Sequence, residues 1–250
     1  MKKAVTLAAA TLLCLLLSAP SALRAQEGNG RQFTVVPFEF DPFNTFLVAA
    51  EWKTGIGCPT SAQTNDGTTS GTFTDPACAT GDPQDKRNEG LLLAKTGPTT
   101  NFASAGAKIN GVTGMVITEL GYDIRKPGTE LSVGPRGSHC GAGAPRFNIT
   151  TRDGTTYFIG CNSPPAPSQT PGIGWLRLRW GVSPTGQDVP LLAFSPAGTL
   201  VDISGLEVVR LEIDFDEGQD TLPDNFGAAV LDNIDVNGVL AGRGPRSREE

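Results

Sequence analysis

One histidine, two methionines, two tyrosines and five cysteines in 250 residues leave little material for several kinds of chemistry. The sole histidine, His139, sits in Gly137-Ser138-His139-Cys140-Gly141. No Gly-x-Ser-x-Gly elbow accompanies it, so a Ser-His-Asp site has no framework. The cysteines show no Cys-x-x-Cys spacing, which argues against structural zinc. Basic side chains are the minority, 20 against 26 acidic. Helical periodicity is absent along the chain, and the one long apolar run is Ala4 to Leu17. That run follows Lys2 and Lys3 and gives way at once to small residues ending at Ala25, the pattern of a secretory signal peptide rather than a membrane span. Cys14 falls within it. Cleavage after Ala25 leaves 17 basic and 26 acidic side chains, hence a formal charge of −9, a surface that repels nucleic acid.

The mature chain therefore belongs outside the cytoplasm, secreted or in the periplasm or cell envelope, with no membrane span. Four cysteines remain, Cys58, Cys78, Cys140 and Cys161, and an even number in an exported chain predicts disulfides. Sequence order suggests Cys58 with Cys78 and Cys140 with Cys161, although three connectivities are open. Residues 26–242 read as one β-sandwich domain and residues 243–250 as a frayed tail.

Strand signals recur with turn signals between them. Phe33 to Phe40 reads as an opening strand, with Pro37 tolerable on an edge. Thr54 to Asn88 is rich in Gly, Thr, Ser, Asp and Pro and reads as a long stapled loop. Arg146 to Thr151 and Thr155 to Ile159 flank Asp153-Gly154, a hairpin signal. About nine strands and no helix predict an all-β, two-sheet antiparallel sandwich of jelly-roll type with long disulfide-stapled loops.

Near the C-terminus two strand-like runs, Val208 to Asp216 and Ala228 to Val236, enclose the acidic turn Glu217-Gly218-Gln219-Asp220-Thr221. Period-two alternation places Val230, Ile234 and Val236 on one face, and Asp232 with them. A buried carboxylate needs a partner, and a cation would serve. Asp214, Asp216, Glu217, Asp220, Asp224 and Asp235 read as a solvated acidic rim. Phe38-Glu39-Phe40 together with Val230-Leu231-Asp232-Asn233-Ile234-Asp235-Val236 resembles the calcium-bearing jelly-roll carbohydrate-binding modules, the galactose-binding-like sandwiches of exported bacterial proteins. The resemblance implies terminal strands side by side, a structural calcium ion held by Glu39 and Asp232, and a polysaccharide or cell-surface glycan as partner.

Trp175-Leu176-Arg177-Leu178-Arg179-Trp180 alternates. Leu176, Leu178 and Trp180 form the core set. Trp175, Arg177 and Arg179 have the composition of a sugar platform, an indole to stack and guanidinium groups to bond hydroxyls. The leading expectation is a non-catalytic carbohydrate-binding module. A hydrolase or lyase on the same scaffold, or an extracellular structural or adhesion protein, stays open, because acids are plentiful and spacing selects no catalytic pair.

Overall fold

The computed structural model describes residues 33–65, 70–96, 102–126, 145–160, 163–164, 174–216 and 226–246. Its strands in chain order are β1 Thr34–Phe40, β2 Val48–Thr54, β3 Ala62–Asn65, β4 Ser70–Phe73, β5 Glu89–Thr96, β6 Ser104–Asn110, β7 Met115–Val116 and β8 Leu120–Arg125. There follow β9 Arg146–Thr151, β10 Thr156–Ile159, β11 Leu176–Trp180, β12 Leu192–Phe194, β13 Leu200–Asp202, β14 Glu207–Phe215, β15 Phe226–Val236 and β16 Val239–Ala241. Among the described residues the only helical element is the 3₁₀ turn Pro76–Cys78, and no helix is long and apolar enough to cross a membrane.

Two antiparallel sheets make the sandwich. The first runs β1-β6-β14-β9-β10-β12-β13, with β7 beside β14. The second runs β11-β8-β15-β5-β2, with β16 beside β15. Pro37 stands on β1, whose single partner is β6, so its missing N–H faces a free edge and breaks no ladder. Asp153-Gly154 closes β9 onto β10 as the sequence predicts, with Gly154 at φ 85°, a value only glycine adopts freely.

Alternation decides what is buried. Ala105, Ala107, Phe147, Ile149 and Ile213 of the first sheet meet Leu93, Tyr122, Ile124, Leu178 and Leu231 of the second. At the centre Tyr122 and Phe147 lie 5.5 Å apart between ring centroids, and Trp180 lies 5.4 and 6.0 Å from them. Each such side chain contributes on the order of 2 kcal/mol by leaving water. The Tyr122 hydroxyl donates to the Pro145 carbonyl at 2.6 Å, so the ring is buried without an orphaned polar atom.

Two expectations about the ends of the chain are corrected. The first strand and the last long strand do not lie side by side: β1 borders the first sheet, whereas β15 is central in the second. Uniform alternation along β15 also fails. Asp232 pairs with Asp123 and Asp235 with Gly121, so three steps on β15 match two on β8. Asn233, at φ 46°, is the extra residue of a β-bulge. The bulge resets the phase: Leu231, Ile234 and Val236 face the core, while Asp232 and Asp235 both point to the outer face. Near the C-terminal end, Gly242 N donates to Asp82 at 3.1 Å and Gly244 N to Glu89 at 3.0 Å.

Candidate functional site

The outer face of the second sheet is covered by the long loop between β2 and β5. Cys58 and Cys78 are joined, with Cα atoms 5.5 Å apart, and the bond spans a separation of 20 residues. Constraining the unfolded chain over that length contributes about 3 kcal/mol. Their sulfurs lie within 4.8 Å of an Asp123 carboxylate oxygen, but a disulfide supplies no thiolate to a metal. Cys140, Cys161 and His139 lie outside the described residues.

This cover removes the proposed sugar platform from the surface. Trp175 is 2% exposed and packs on Cys58, Ala77 and Cys78. Arg177 grips Asp123 through Nε and Nη2, both at 2.8 Å, and its Nη1 donates to the Thr80 hydroxyl at 2.7 Å. Arg179 is 6% exposed, with Nε 3.0 Å from Asp235. An indole without a free face cannot stack on a ring, and guanidinium groups spent on internal carboxylates have little left for a ligand. Alternation assigned these residues to the outer face correctly; the loop laid over them was not legible from the strand.

The calcium pair is likewise not assembled. Asp232 Oδ2 accepts from Cys58 N at 2.6 Å and Oδ1 from Asn233 N at 2.5 Å, so N–H dipoles occupy both oxygens where a cation would sit. Glu39 belongs to β1, and its Oε1 accepts from Ala50 N at 3.1 Å. Ala50 pairs with Leu93, which pairs with Ala229, three residues before Asp232. Two strands across and three residues along amount to roughly 14 Å. The two carboxylates do not fit one ion.

Nor is Asp235 part of a solvated rim: burial pushes its carboxyl up, and Arg179 opposes that shift. Glu119, beside it just before β8, is pushed up to about 7, first by burial and next by the Asp235 charge, with Arg179 opposing.

A second polar group stands open to solvent at one end of the sandwich. There an open groove of about 380 Å³ is lined by Phe40, Lys95, Phe102, Ser104, Asp214 and Asp216. Register explains the grouping. Phe40 lies opposite Ser104, and Gly106 lies opposite Asp214, which lies opposite Arg146, so these side chains share the outer face of the first sheet. Arg146 donates to Asp216 through Nη1 at 2.8 Å and Nη2 at 2.6 Å, and Nη2 also reaches Asp214 at 3.0 Å. Lys95, 1% exposed, donates to the Asp216 carbonyl at 2.5 Å. Burial raises the Asp214 carboxyl, opposed by Arg146. Burial acts on Asp216 too, but the Arg146 hydrogen bonds and charge outweigh it and hold that carboxyl low.

Asp214 and Asp216 are thus half-buried and paired, not a free acidic rim; Glu217, Asp220 and Asp224 lie outside the described residues. The groove residues carry one signal in sequence. Phe38 and Phe40 fall on the opposite face of β1 from Val35, two aromatics on the outward side of an edge strand. Lys95, Phe102 and Arg146 come from three further segments and give none.

No protein-family model matches this chain, and no curated protein does. Among solved structures it is similar to the family 11 carbohydrate-binding module from Clostridium thermocellum in complex with a β-1,3-1,4-mixed-linked tetrasaccharide, at 14% identity over 86% of this chain and 93% of that one, with a TM-score of 0.34. The family 11 module of a cellulosomal cellulase of the same organism aligns at 13% identity over 83% and 88%, TM-score 0.34. A β-1,2-glucanase from Parabacteroides distasonis aligns at 14% identity over 79% of this chain and 23% of that one, TM-score 0.33. At these scores the likenesses assign no site to this chain.

Proposed function

We propose that this chain is an exported carbohydrate-binding module whose saccharide lies in the groove between Phe40 and Phe102. Those two rings carry the reading. They are 52% and 70% exposed and line a groove that also holds Ser104 and the Asp214–Asp216–Arg146 cluster. An aromatic face takes the C–H side of a sugar ring, while carboxylates and a hydroxyl bond its equatorial hydroxyls. The signal-peptide pattern of residues 1–25 supports export. Calcium is no part of the proposal.

Binding is favoured over hydrolysis by the same contacts. A glycosidase needs one carboxylate free as nucleophile or base and one poised as acid. Here Arg146 bonds both Asp214 and Asp216 and grips the second through two nitrogens, which makes them a fixed recognition surface.

Affinity electrophoresis against neutral and acidic polysaccharides tests the reading. Wild type is expected to be retarded by at least one of them, without release of reducing ends, and Phe40→Ala to abolish the retardation. A folded protein that no polysaccharide retards would refute it.

A further inference from the structure

The β1–β2 loop, Asp41 to Leu47, spends its local energy on holding aromatic rings in water. Phe43 is 66% exposed and Phe46 87%. Beside them Phe102 leads into β6, its ring centroid 6.4 Å from that of Phe43. Two of the three residues stand in the left-handed backbone region, Phe46 at φ 56° and Phe102 at φ 55°, and Asn44 between the loop phenylalanines is at φ 53°. Bulky side chains avoid that region unless the surroundings impose it.

Asp41 supplies part of that imposition. Its carboxylate accepts from the Thr45 hydroxyl at 2.8 Å and from Phe46 N at 2.7 Å, and its carbonyl accepts from Asn44 N at 3.1 Å. The loop is therefore preformed. Neither core packing nor backbone preference accounts for rings displayed in this way, whereas contact with an external surface does.

Charge narrows the kind of surface. Asp41 is the only charged residue from Asp41 to Leu47, and the whole chain is acidic, with formal charge −6. The nearby cations Lys95 and Arg146 are engaged with Asp216 and Asp214 inside the groove. Anionic polymers and anionic lipids gain nothing here. We propose that Phe43, Phe46 and Phe102 form a convex contact for the face of an assembled, neutral, insoluble polysaccharide, beside the groove that takes a single chain. This rests on the saccharide reading of the groove and adds the physical form of its target. Soluble oligosaccharide affinity then belongs to Phe40, Phe102 and the polar cluster, and retention on solid polymer belongs to Phe43 and Phe46 of the loop, with Phe102 shared by both.

The double variant Phe43→Ser/Phe46→Asn separates the two, because neither residue lines the groove and Asn tolerates the left-handed backbone. Partition onto microcrystalline cellulose, particulate mixed-linked β-glucan and chitin is measured alongside titration with soluble mixed-linked and cellulose-derived oligosaccharides, with near-ultraviolet dichroism to confirm the fold. The variant is expected to lose roughly ten-fold in partition to the solid that wild type prefers, while its soluble affinity stays within about two-fold. Unchanged partition overturns the proposal, as does an equal fall in both measurements. Uptake of wild type by phosphatidylcholine vesicles, lost in the variant, would make the loop a lipid contact and overturn it as well. If wild type binds neither soluble nor solid saccharide, the groove reading itself falls and this one with it.

Discussion

The amide of Cys58 donates to the carboxylate of Asp232 at 2.6 Å, joining the covering loop to the bulged strand β15 across 174 residues of chain. Asp232 faces outward to meet that amide by the alternation that buries Leu231, and at the bulge that follows Asn233 bonds Asp123 through Nδ2 at 2.8 Å and accepts from Asp82 N at 3.0 Å. Asp232 thus acts on stability by satisfying buried N–H groups. Asp232→Ala leaves two of them unpaired and is expected to cost about 2–4 kcal/mol. Asp232→Asn keeps one acceptor and a neutral side chain, and should cost about half as much. Chemical denaturation of the two variants measures both. Chelator should leave the wild-type curve where it is, and a chelator-sensitive midpoint would restore an ion to this place.

Much of the frame is legible in sequence because it depends on local period and turn chemistry. Leu176, Leu178 and Trp180 alternate into the core as read, Asp153-Gly154 makes its hairpin, and Cys58 pairs with Cys78. Reading fails where one residue changes phase or a distant segment supplies the environment. Asn233 shifts the face of everything after it on β15, and only the partner strand β8 reveals the shift. Trp175, Arg177 and Arg179 look like a surface because the strand does not report the loop above it. Asn237-Gly238, at φ 54° and 79°, is a two-residue turn of the kind that asparagine and glycine favour; it folds β16 back on β15 and was readable in principle. The groove was not, since Phe40, Lys95, Phe102, Arg146 and Asp214 meet only once the strand order is set.

Glu119 gives stability a pH dependence near neutrality. Its folded value, about 7, lies above its ordinary value of 4.5, driven first by burial and then by Asp235, with Asp188 adding to the rise and Arg179 opposing it. The folded state therefore holds this proton more tightly than the unfolded chain does. The associated stability is complete below about pH 4.5 and is lost as pH rises through about 7. Solvent screening at this half-exposed group trims the loss to on the order of 1 kcal/mol. Glu119→Gln mimics the neutral carboxyl and should flatten the melting temperature across that window. An equally steep profile in the variant would assign the dependence to another group.

Arg146 sets both the shape and the charge state of the groove. It bonds Asp214 and Asp216 together, and its hydrogen bonds and charge do most to keep the Asp216 carboxyl low against the opposing effect of burial. In Arg146→Gln the largest part of that opposition disappears, leaving a backbone hydrogen bond and the Lys95 charge against burial, so the Asp216 carboxyl rises, and two neighbouring carboxylates are left facing each other. In wild type Asp216 stays ionised through the weakly acidic range, and the pH dependence of saccharide binding there comes from Asp214, whose carboxyl burial raises. The variant should bind roughly ten-fold more weakly, through the lost alignment of two acceptors. Its remaining affinity should also depend more steeply on pH than that of wild type, as Asp216 joins Asp214 in taking up a proton. Titration calorimetry at several pH values reads both effects. A variant with wild-type affinity and the wild-type pH profile would show that the Asp214–Asp216–Arg146 cluster holds the ends of β9 and β14 together without touching the ligand, and the saccharide would then have to be sought on Phe40 and Phe102 alone.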